Sequence, residues 1–200
     1  MNGNTSLMIY STPADTARNV RVIYFALAGG LIFLLGICLY MISQVAPNGF
    51  VAGKAAGPAI LNLPFLTLIL SVVAIMNLLM SLVLPGTITK NRLDRLGKKQ
   101  EPPQLSWDEW DTENTSWQEQ LPQPLRLELL QTYSAESIMG AALAQSTGII
   151  SAVAYLLEAH WLPIVLLFLA IVYMLWNLPT LPKLNHWLRK KVKFLISHRP

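Results

Sequence analysis

Four stretches of the chain contain no aspartate, glutamate, lysine, arginine or histidine, and their lengths predict the architecture. They cover residues 22–42, 63–84, 138–157 and 161–178. Because a helix of about 20 apolar residues crosses a hydrocarbon core of about 30 Å, each stretch predicts one membrane-spanning helix. The stretches are apolar throughout and do not alternate, which disfavours a β-barrel. The pattern therefore predicts an all-α integral membrane four-helix bundle.

The composition of the chain agrees with a membrane protein and disfavours other classes. Of its 200 residues, 53% are hydrophobic and 13% are charged, whereas soluble domains average about 25% charged residues. Disorder requires the opposite combination of low hydrophobicity and high charge. In a soluble protein, too little amphipathic chain would remain to cover four uncharged helices. The single cysteine, Cys38, excludes a disulfide within the chain and a multi-cysteine metal site.

The distribution of lysine and arginine predicts the orientation of the chain. Of the 15 such residues, all except Lys54 lie in residues 1–21, 85–137 and 179–200. The positive-inside rule places these segments, and both termini, on the cytoplasmic side of the inner (plasma) membrane. The first stretch lacks a small-x-small cleavage site, so we expect a retained signal anchor. The net charge of +4 is then explained by basic residues that orient the chain in the membrane and contact anionic lipid. Nucleic-acid binding is a weaker explanation of this charge.

The four predicted helices form two hairpins, residues 22–84 and 138–178, whose features favour a tandem repeat. Residues 25–32 resemble residues 141–148, and in each hairpin the second helix opens and closes with a Leu-Pro pair. Both hairpins have the same orientation, so the repeat would be parallel rather than inverted. Whether the two hairpins arose by duplication stays open.

The four prolines of these Leu-Pro pairs predict helix boundaries. Pro64 and Pro163 are expected in first helical turns, where a missing N–H group is tolerated. Pro85 and Pro179 are expected to end the second helix of each hairpin, because the residue before a proline disfavours helical geometry.

Small residues recur along one face of the third predicted helix and, more loosely, along the first. In a bilayer such residues let two backbones approach closely, and dispersion then holds the helices together. We expect helices one and three at the centre of the bundle, with the bulkier helices two and four outside. Packing within one chain is the favoured interpretation, and homo-oligomerisation through the same face is the alternative. The predicted helix-packing residues are Gly29, Gly30, Gly36, Gly140, Ala144, Gly148 and Ala152.

Three polar side chains, Asn77, Gln145 and Thr147, are predicted to lie inside the bilayer. A polar group in a membrane needs a hydrogen-bond partner, and each such bond contributes about 0.6–2 kcal/mol. We favour hydrogen bonding between helices, in which Asn77 and Gln145 pair with each other or with backbone carbonyls. A polar ligand or ion site inside the bundle is the alternative.

Residues 138–157 resemble the ion-carrying helix of the proteolipid (c-type) subunits of rotary ATPases. The resemblance implies a small-residue hairpin that assembles into a membrane ring. Gln145 stands where that family carries a glutamate or aspartate, and an amide cannot bind and release a proton. The four uncharged stretches contain no titratable carboxylate, imidazole or amine that could replace it, which disfavours a self-sufficient proton pump. The resemblance lies in Met139-Gly140-Ala141-Ala142-Leu143-Ala144-Gln145-Ser146-Thr147-Gly148.

Segment 85–137 is the longest hydrophilic part of the chain. It is expected to be mostly irregular, with a short helix at residues 126–131, and about fifty residues offer little hydrophobic core. Its acidic part carries three tryptophans, Trp107, Trp110 and Trp117. Aromatic anchors of this kind suit the docking of a protein partner. Contact of the tryptophans with the membrane interface explains them equally well.

The C-terminal segment, residues 179–200, predicts a basic amphipathic helix. We expect its apolar face to lie on the inner leaflet, with Trp187 as an interfacial anchor and the basic residues against anionic lipid. Packing against a partner helix is the alternative. The apolar positions at near-helical spacing are Leu181, Leu184, Leu188, Val192 and Leu195.

No catalytic, cofactor-binding or metal-binding residues stand out in the sequence. The three histidines, His160, His186 and His198, are scattered, and no phosphate loop, metal-ligand spacing or nucleophile–base pair is present. The sequence therefore predicts a non-enzymatic, cofactor-free multi-pass membrane protein that acts as an accessory, scaffold or structural component of a membrane assembly. A ring-forming or transport-related subunit of proteolipid type is the alternative, and a membrane-embedded enzyme ranks third.

Overall fold

The computed structural model describes residues 12–45, 59–60, 63–99, 121–158 and 160–197. In these ranges the chain forms five α-helices and one short pair of strands, β1 (Ala59–Ile60) and β2 (Leu63–Pro64), which are antiparallel. The prediction of an all-α chain is confirmed for the described ranges, apart from this two-residue pairing. The helices are α1 (Pro13–Val45), α2 (Phe65–Lys99), α3 (Gln123–Glu158), α4 (Trp161–Trp176) and α5 (Leu181–Ser197).

Three helices contain segments long and apolar enough to cross a membrane: Pro13–Met41, Phe65–Arg95 and Gln123–Leu157. A fourth span is counted when α4 and α5 are taken together as one broken helix. Helix α4 alone has 16 residues, or about 24 Å of length, which is less than a hydrocarbon core of about 30 Å. The described residues therefore hold three to four apolar helices of spanning length.

The prolines at the ends of α2 lie differently from the prediction. Helix α2 continues through Pro85 to Lys99, so the prediction that Pro85 ends a helix is wrong. Pro64 belongs to β2, and the helix begins at the next residue, Phe65. The prolines of α4 agree with the prediction, because Pro163 lies in its first turn and Pro179 follows its last residue, Trp176.

Segment 85–137 is more helical than predicted in its described part. Residues 86–99 continue α2, and residues 123–137 begin α3, so the short helix expected at 126–131 is part of a much longer one. The expectation of a mostly irregular segment is therefore wrong for residues 86–99 and 121–137. The physical reason is that apolar positions in this segment are buried in a core shared with other parts of the chain.

The contacts divide the chain into two compact units. The first, which we call the charged unit, draws on Met1–Arg21, Gly86–Ser137 and Pro179–Pro200. The second, which we call the apolar unit, draws on Val22–Pro85 and Ile138–Leu178.

The charged unit has a hydrophobic core of its own. Ala17 of α1 and Leu93 of α2 are buried in one cluster with residues of α3 and α5. The expectation that segment 85–137 offers little core is corrected by this cluster, because four separate segments contribute apolar side chains to it. The buried members are Ala17, Leu93, Leu121, Leu125, Leu129, Leu130, Tyr133, Leu184, Leu188 and Val192.

The apolar face of α5 lies within this core. Leu184, Leu188 and Val192 follow one another at four-residue spacing, and each is buried. Trp187 packs edge-on against Tyr133, with ring centroids 5.4 Å apart. The prediction that this face lies on the inner leaflet is therefore wrong for Leu184, Leu188 and Val192, whereas Leu181 is 40% exposed. The alternative, packing against a helix, describes the arrangement, and the partner helix belongs to the same chain.

In the apolar unit, large apolar side chains point outward while hydroxyl groups lie inside. Phe33 is 70% exposed, Val83 65% and Trp176 80%, whereas Thr147 is 0% exposed and Ser151 1%. A water-soluble protein buries its large apolar side chains and rarely exposes extended patches of them. The apolar unit has the reverse distribution at its surface, which carries many large apolar side chains, although Leu31, Leu167 and Met174 are buried inside it.

Candidate functional site

Polar side chains inside the apolar unit join α2 to α3. Asn77 donates a hydrogen bond from Nδ2 to Ser146 Oγ at 3.3 Å. Thr147 Oγ1 lies 3.2 Å from the carbonyl oxygen of Ala74 on α2 and 3.1 Å from that of Leu143 in its own helix, so its hydroxyl can donate to either. Asn77 thus pairs with Ser146 rather than with Gln145. These contacts are side-chain hydrogen bonds of the kind that hold helices together in lipid.

Pro85 creates a second polar contact, between α2 and α4. A proline inside a helix has no N–H group to donate to the carbonyl four residues earlier, which here belongs to Ser81. The hydroxyl of Tyr173 on α4 donates to this Ser81 carbonyl oxygen at 3.1 Å. A partner helix therefore satisfies the carbonyl that the proline leaves without its helical donor, as is common for prolines in membrane helices.

Gly140 and Gly148 lie where α3 meets its neighbours. A Cβ atom on Gly140 would lie 3.7 Å from the Ser81 carbonyl oxygen and 3.7 Å from Pro85 Cγ. A Cβ atom on Gly148 would lie 2.5 Å from Leu31 Cδ2 and 3.1 Å from Leu167 Cδ1. Helix α3 thus touches α1, α2 and α4 through its small-residue face. Ala144 and Ala152 are buried on the same face.

The glycines of α1 are placed differently from those of α3. A Cβ atom on Gly29 or Gly36 would meet no described atom within 4 Å, and both residues are exposed. A Cβ atom on Gly30 would lie 3.9 Å from Gln145 Nε2. The chain itself therefore brings Gly30 near α3, and within the described residues it places nothing against Gly29 or Gly36.

Buried hydroxyl groups on α2 form a feature that the sequence analysis did not single out. Thr67, Ser71 and Ser81 are 4% exposed or less and lie on the face of α2 that also carries Ala74. The Ser71 and Ser151 hydroxyls have no hydrogen-bond partner among the described residues. The signal was present in the sequence, because Thr67, Ser71, Ala74 and Ser81 recur at intervals of three, four and seven residues in an otherwise aliphatic stretch.

The charged unit contains one carboxylate at a junction of three helices. Glu136 Oε2, on α3, accepts a hydrogen bond from Thr89 Oγ1 of α2 at 2.6 Å and from Trp187 Nε1 of α5 at 3.0 Å. Arg21 Nε of α1 donates to the Pro179 carbonyl oxygen at 3.2 Å, just before α5. Sequence reasoning missed Glu136, since a lone glutamate at the start of an apolar run carries no pattern.

The three tryptophans proposed for partner docking, Trp107, Trp110 and Trp117, lie outside the described residues. Nothing in the described structure bears on whether they contact a protein or a membrane interface.

The contacts described above between helices of the apolar unit are chemically neutral. They consist of amide, hydroxyl and phenol groups bonded to one another or to backbone carbonyls. Among the described residues, no group of three or more histidine, cysteine, aspartate or glutamate side chains could hold a metal ion. Such an arrangement can position helices, but its neutral groups do not relay protons near neutral pH.

Comparison with known proteins gave no match. No protein-family model matches the chain, and no curated protein or solved structure is significantly similar to it. No relative therefore supplies an activity for it.

Proposed function

We propose that the chain is a multi-pass membrane protein that acts as a non-enzymatic scaffold or accessory component of a membrane assembly. The observation that carries this proposal is the reversed distribution of side chains in the apolar unit. Outward-facing phenylalanine, valine and tryptophan are stable against lipid, and inward-facing serine, threonine and glycine allow close helix packing there. In water, the same surface would be an aggregation hazard.

The core of the charged unit supports four crossings. Parts of α1, α2, α3 and α5 share this core, so they must lie on one side of the bilayer. The chain leaves that side at residue 22 and returns by residue 86, then leaves again at 138 and returns by 179. Each of these two segments begins and ends on the same side, so it must cross the membrane an even number of times. Helices α1 and α2 would provide two crossings for the first segment, and α3 and α4 two for the second.

Helix α4 then forms the fourth crossing despite its length. The uncharged stretch around it runs for 18 residues, from 161 to 178, or about 27 Å if fully helical. A span a few ångströms too short is accommodated by local thinning of the bilayer, at a cost of a fraction of a kcal/mol per ångström. Lysine and arginine concentrate in the charged unit, which supports a cytoplasmic location for it.

The neutral chemistry of the buried contacts favours a structural role over transport. Gln145, Asn77 and Thr147 can hold helices together but cannot carry a proton between two aqueous phases. A ring of proteolipid type would in addition need the small-residue face of α3 for contacts between copies. Gly140 and Gly148 already pack on α1, α2 and α4 of the same chain.

Membrane fractionation followed by native mass spectrometry tests the proposal. We expect the chain to sediment with membranes, to resist alkaline carbonate and to enter solution only with detergent. We expect native mass spectrometry in mild detergent to show a small assembly that contains a different protein in fixed proportion. A chain that stays in the supernatant without detergent would overturn the proposal, and a large closed homo-oligomer would favour the proteolipid alternative.

A further inference from the structure

Helix α5 has two faces of opposite character, one apolar and one basic. Leu184, Leu188 and Val192 are buried in the core of the charged unit. Trp187 is tied to Glu136 by its indole N–H at 3.0 Å. The helix is thus held by protein contacts, and these three buried side chains are not available for insertion into lipid.

The outer face of α5 is a stripe of exposed basic side chains. Lys183, His186, Lys190 and Lys193 are all exposed. At about 100° per residue they fall within an arc of about 80°, and the buried face lies on the opposite side of the helix. The helix contains no acidic residue that could neutralise them. We call these four residues the basic stripe.

We propose that the basic stripe binds the phosphate groups of anionic phospholipids. The stripe begins five residues after the last uncharged stretch ends at residue 178. Basic clusters at this distance from a membrane span meet the anionic headgroup layer of the cytoplasmic leaflet. This inference rests on the proposed function, because it requires the chain to be in a membrane.

The structure changes the physical basis expected for this lipid contact. An amphipathic helix that inserts its leucines binds largely through the hydrophobic effect, which salt hardly weakens. In α5, Leu184 and Leu188 are already buried in protein, so charge supplies most of the lipid binding. Raising the ionic strength should then weaken the binding, because the Debye length is about 10 Å at 0.1 M and shortens further with added salt. The stripe therefore binds headgroups reversibly and in a salt-dependent manner.

The test measures lipid binding by the full chain in neutral detergent, titrated with phosphatidylglycerol or phosphatidylcholine and followed by native mass spectrometry. We expect phosphatidylglycerol to bind more tightly, and higher ionic strength to remove the difference. The variant K183Q/K190Q/K193Q should lose about 10- to 100-fold in affinity for phosphatidylglycerol. K183R/K190R/K193R, which keeps the charge, should bind like the unmodified chain.

A matched control removes the same charge elsewhere in the charged unit. Lys90, Arg92 and Arg95 are exposed on α2 near Asp94 in the sequence, and Lys90 lies roughly 140–160° around the helix from the two arginines. Lys90 lies six residues after the uncharged stretch that ends at 84, so the control matches the stripe in distance from a span and differs in the arrangement of its charges. K90Q/R92Q/R95Q should lose clearly less phosphatidylglycerol affinity than the stripe variant, since the stripe is intact. Thermal unfolding of each variant in detergent shows whether α5 is still docked.

Three results would overturn the proposal: equal affinity for the two lipids, equal losses in the stripe and control variants, or competition by inorganic phosphate as strong as by the lipid. The last result would indicate a site for soluble phosphate, and equal losses would indicate a general effect of net charge. Failure of the proposed function is distinguishable, because a chain that is not a membrane protein would stay soluble without detergent in the fractionation above.

Discussion

Tyr173 satisfies a backbone carbonyl that Pro85 leaves without its helical donor, and the two residues should therefore be energetically coupled. The Ser81 carbonyl oxygen accepts from Tyr173 at 3.1 Å. An alanine at position 85 would restore an N–H group that can donate to the same carbonyl. The contribution of the Tyr173 hydroxyl should therefore depend on the residue at position 85.

We expect Tyr173→Phe to lower the stability of the detergent-solubilised protein by about 1 kcal/mol, because it leaves a buried carbonyl without a donor. In a Pro85→Ala background the same substitution should cost about half as much or less. Thermal unfolding of the two single variants and the double variant measures this coupling. Tyr40→Phe is the control, since Tyr40 is 63% exposed. Equal effects of Tyr173→Phe in both backgrounds would contradict the coupling.

Gly148 offers a second test at the residue scale. Its missing Cβ leaves room for Leu31 and Leu167, and an added atom would come within 2.5 Å of Leu31 Cδ2. Gly148→Leu should lower stability by about 1–3 kcal/mol or more through overpacking. Gly29→Leu is the matched control, because a Cβ atom there meets nothing within 4 Å. The close packing of α3 would be refuted if both variants unfolded at the temperature of the original chain.

Residue contacts of this kind could not be read from the sequence. Ser81 and Tyr173 are 92 positions apart, and Thr89 and Glu136 are 47 apart. Nothing local marks either pair, and each exists only because the helices pack in one particular register. The small-residue spacing at Gly140, Ala144 and Gly148 is local, so the packing face of α3 was predictable. Of its three partner helices, only α1 was expected at the centre of the bundle with it, and the contacts with α2 and α4 were not predicted.

At the scale of the element, the uncharged stretches located the helices but not their ends. Whether a helix is stable in lipid depends on the apolar composition of its whole span, and this composition can be read directly from the sequence. The extensions of α2 to Lys99 and of α3 back to Gln123 depend instead on Leu93, Leu125 and Leu129 being buried together. The burial of side chains from distant segments in one core is a tertiary effect. Here it overrides the local tendency of Pro85 to end a helix.

Helix α5 should detach when its junction with α2 and α3 is broken. Glu136→Ala removes the acceptor for both Thr89 and Trp187. We expect a loss of about 2–3 kcal/mol, because two part-buried donors lose a charged partner. Limited trypsin digestion with mass spectrometry should then show faster cleavage at Lys190, Lys191 and Lys193. Glu128→Ala, on the exposed side of α3, should leave the cleavage rate unchanged, and equal acceleration in both variants would contradict the role of Glu136.

At the scale of the whole molecule, the shared core of the charged unit makes the topology testable. In a Cys38→Ala background, single cysteines can replace Thr12, Lys54 and Lys190. An impermeant maleimide applied to intact cells should label position 54 alone, because the positive-inside rule and an even number of crossings place positions 12 and 190 on the inner side. All three should react after the membrane is permeabilised. Labelling of only one of positions 12 and 190 in intact cells would contradict an even number of crossings, and labelling of both without position 54 would reverse the proposed orientation.

The charged unit also has a consequence for biosynthesis. Its core needs Leu184, Leu188 and Val192 from the last helix of the chain as well as Ala17 from the first. Translation proceeds from the N-terminus at about 5–20 residues per second in the cell. The apolar surface of Leu93, Leu129 and Leu130 therefore stays partly uncovered until α5 has been synthesised. A chain truncated ahead of residue 181 could still insert, yet it would keep that surface open to chaperones and proteases, so α5 is the segment that closes the core.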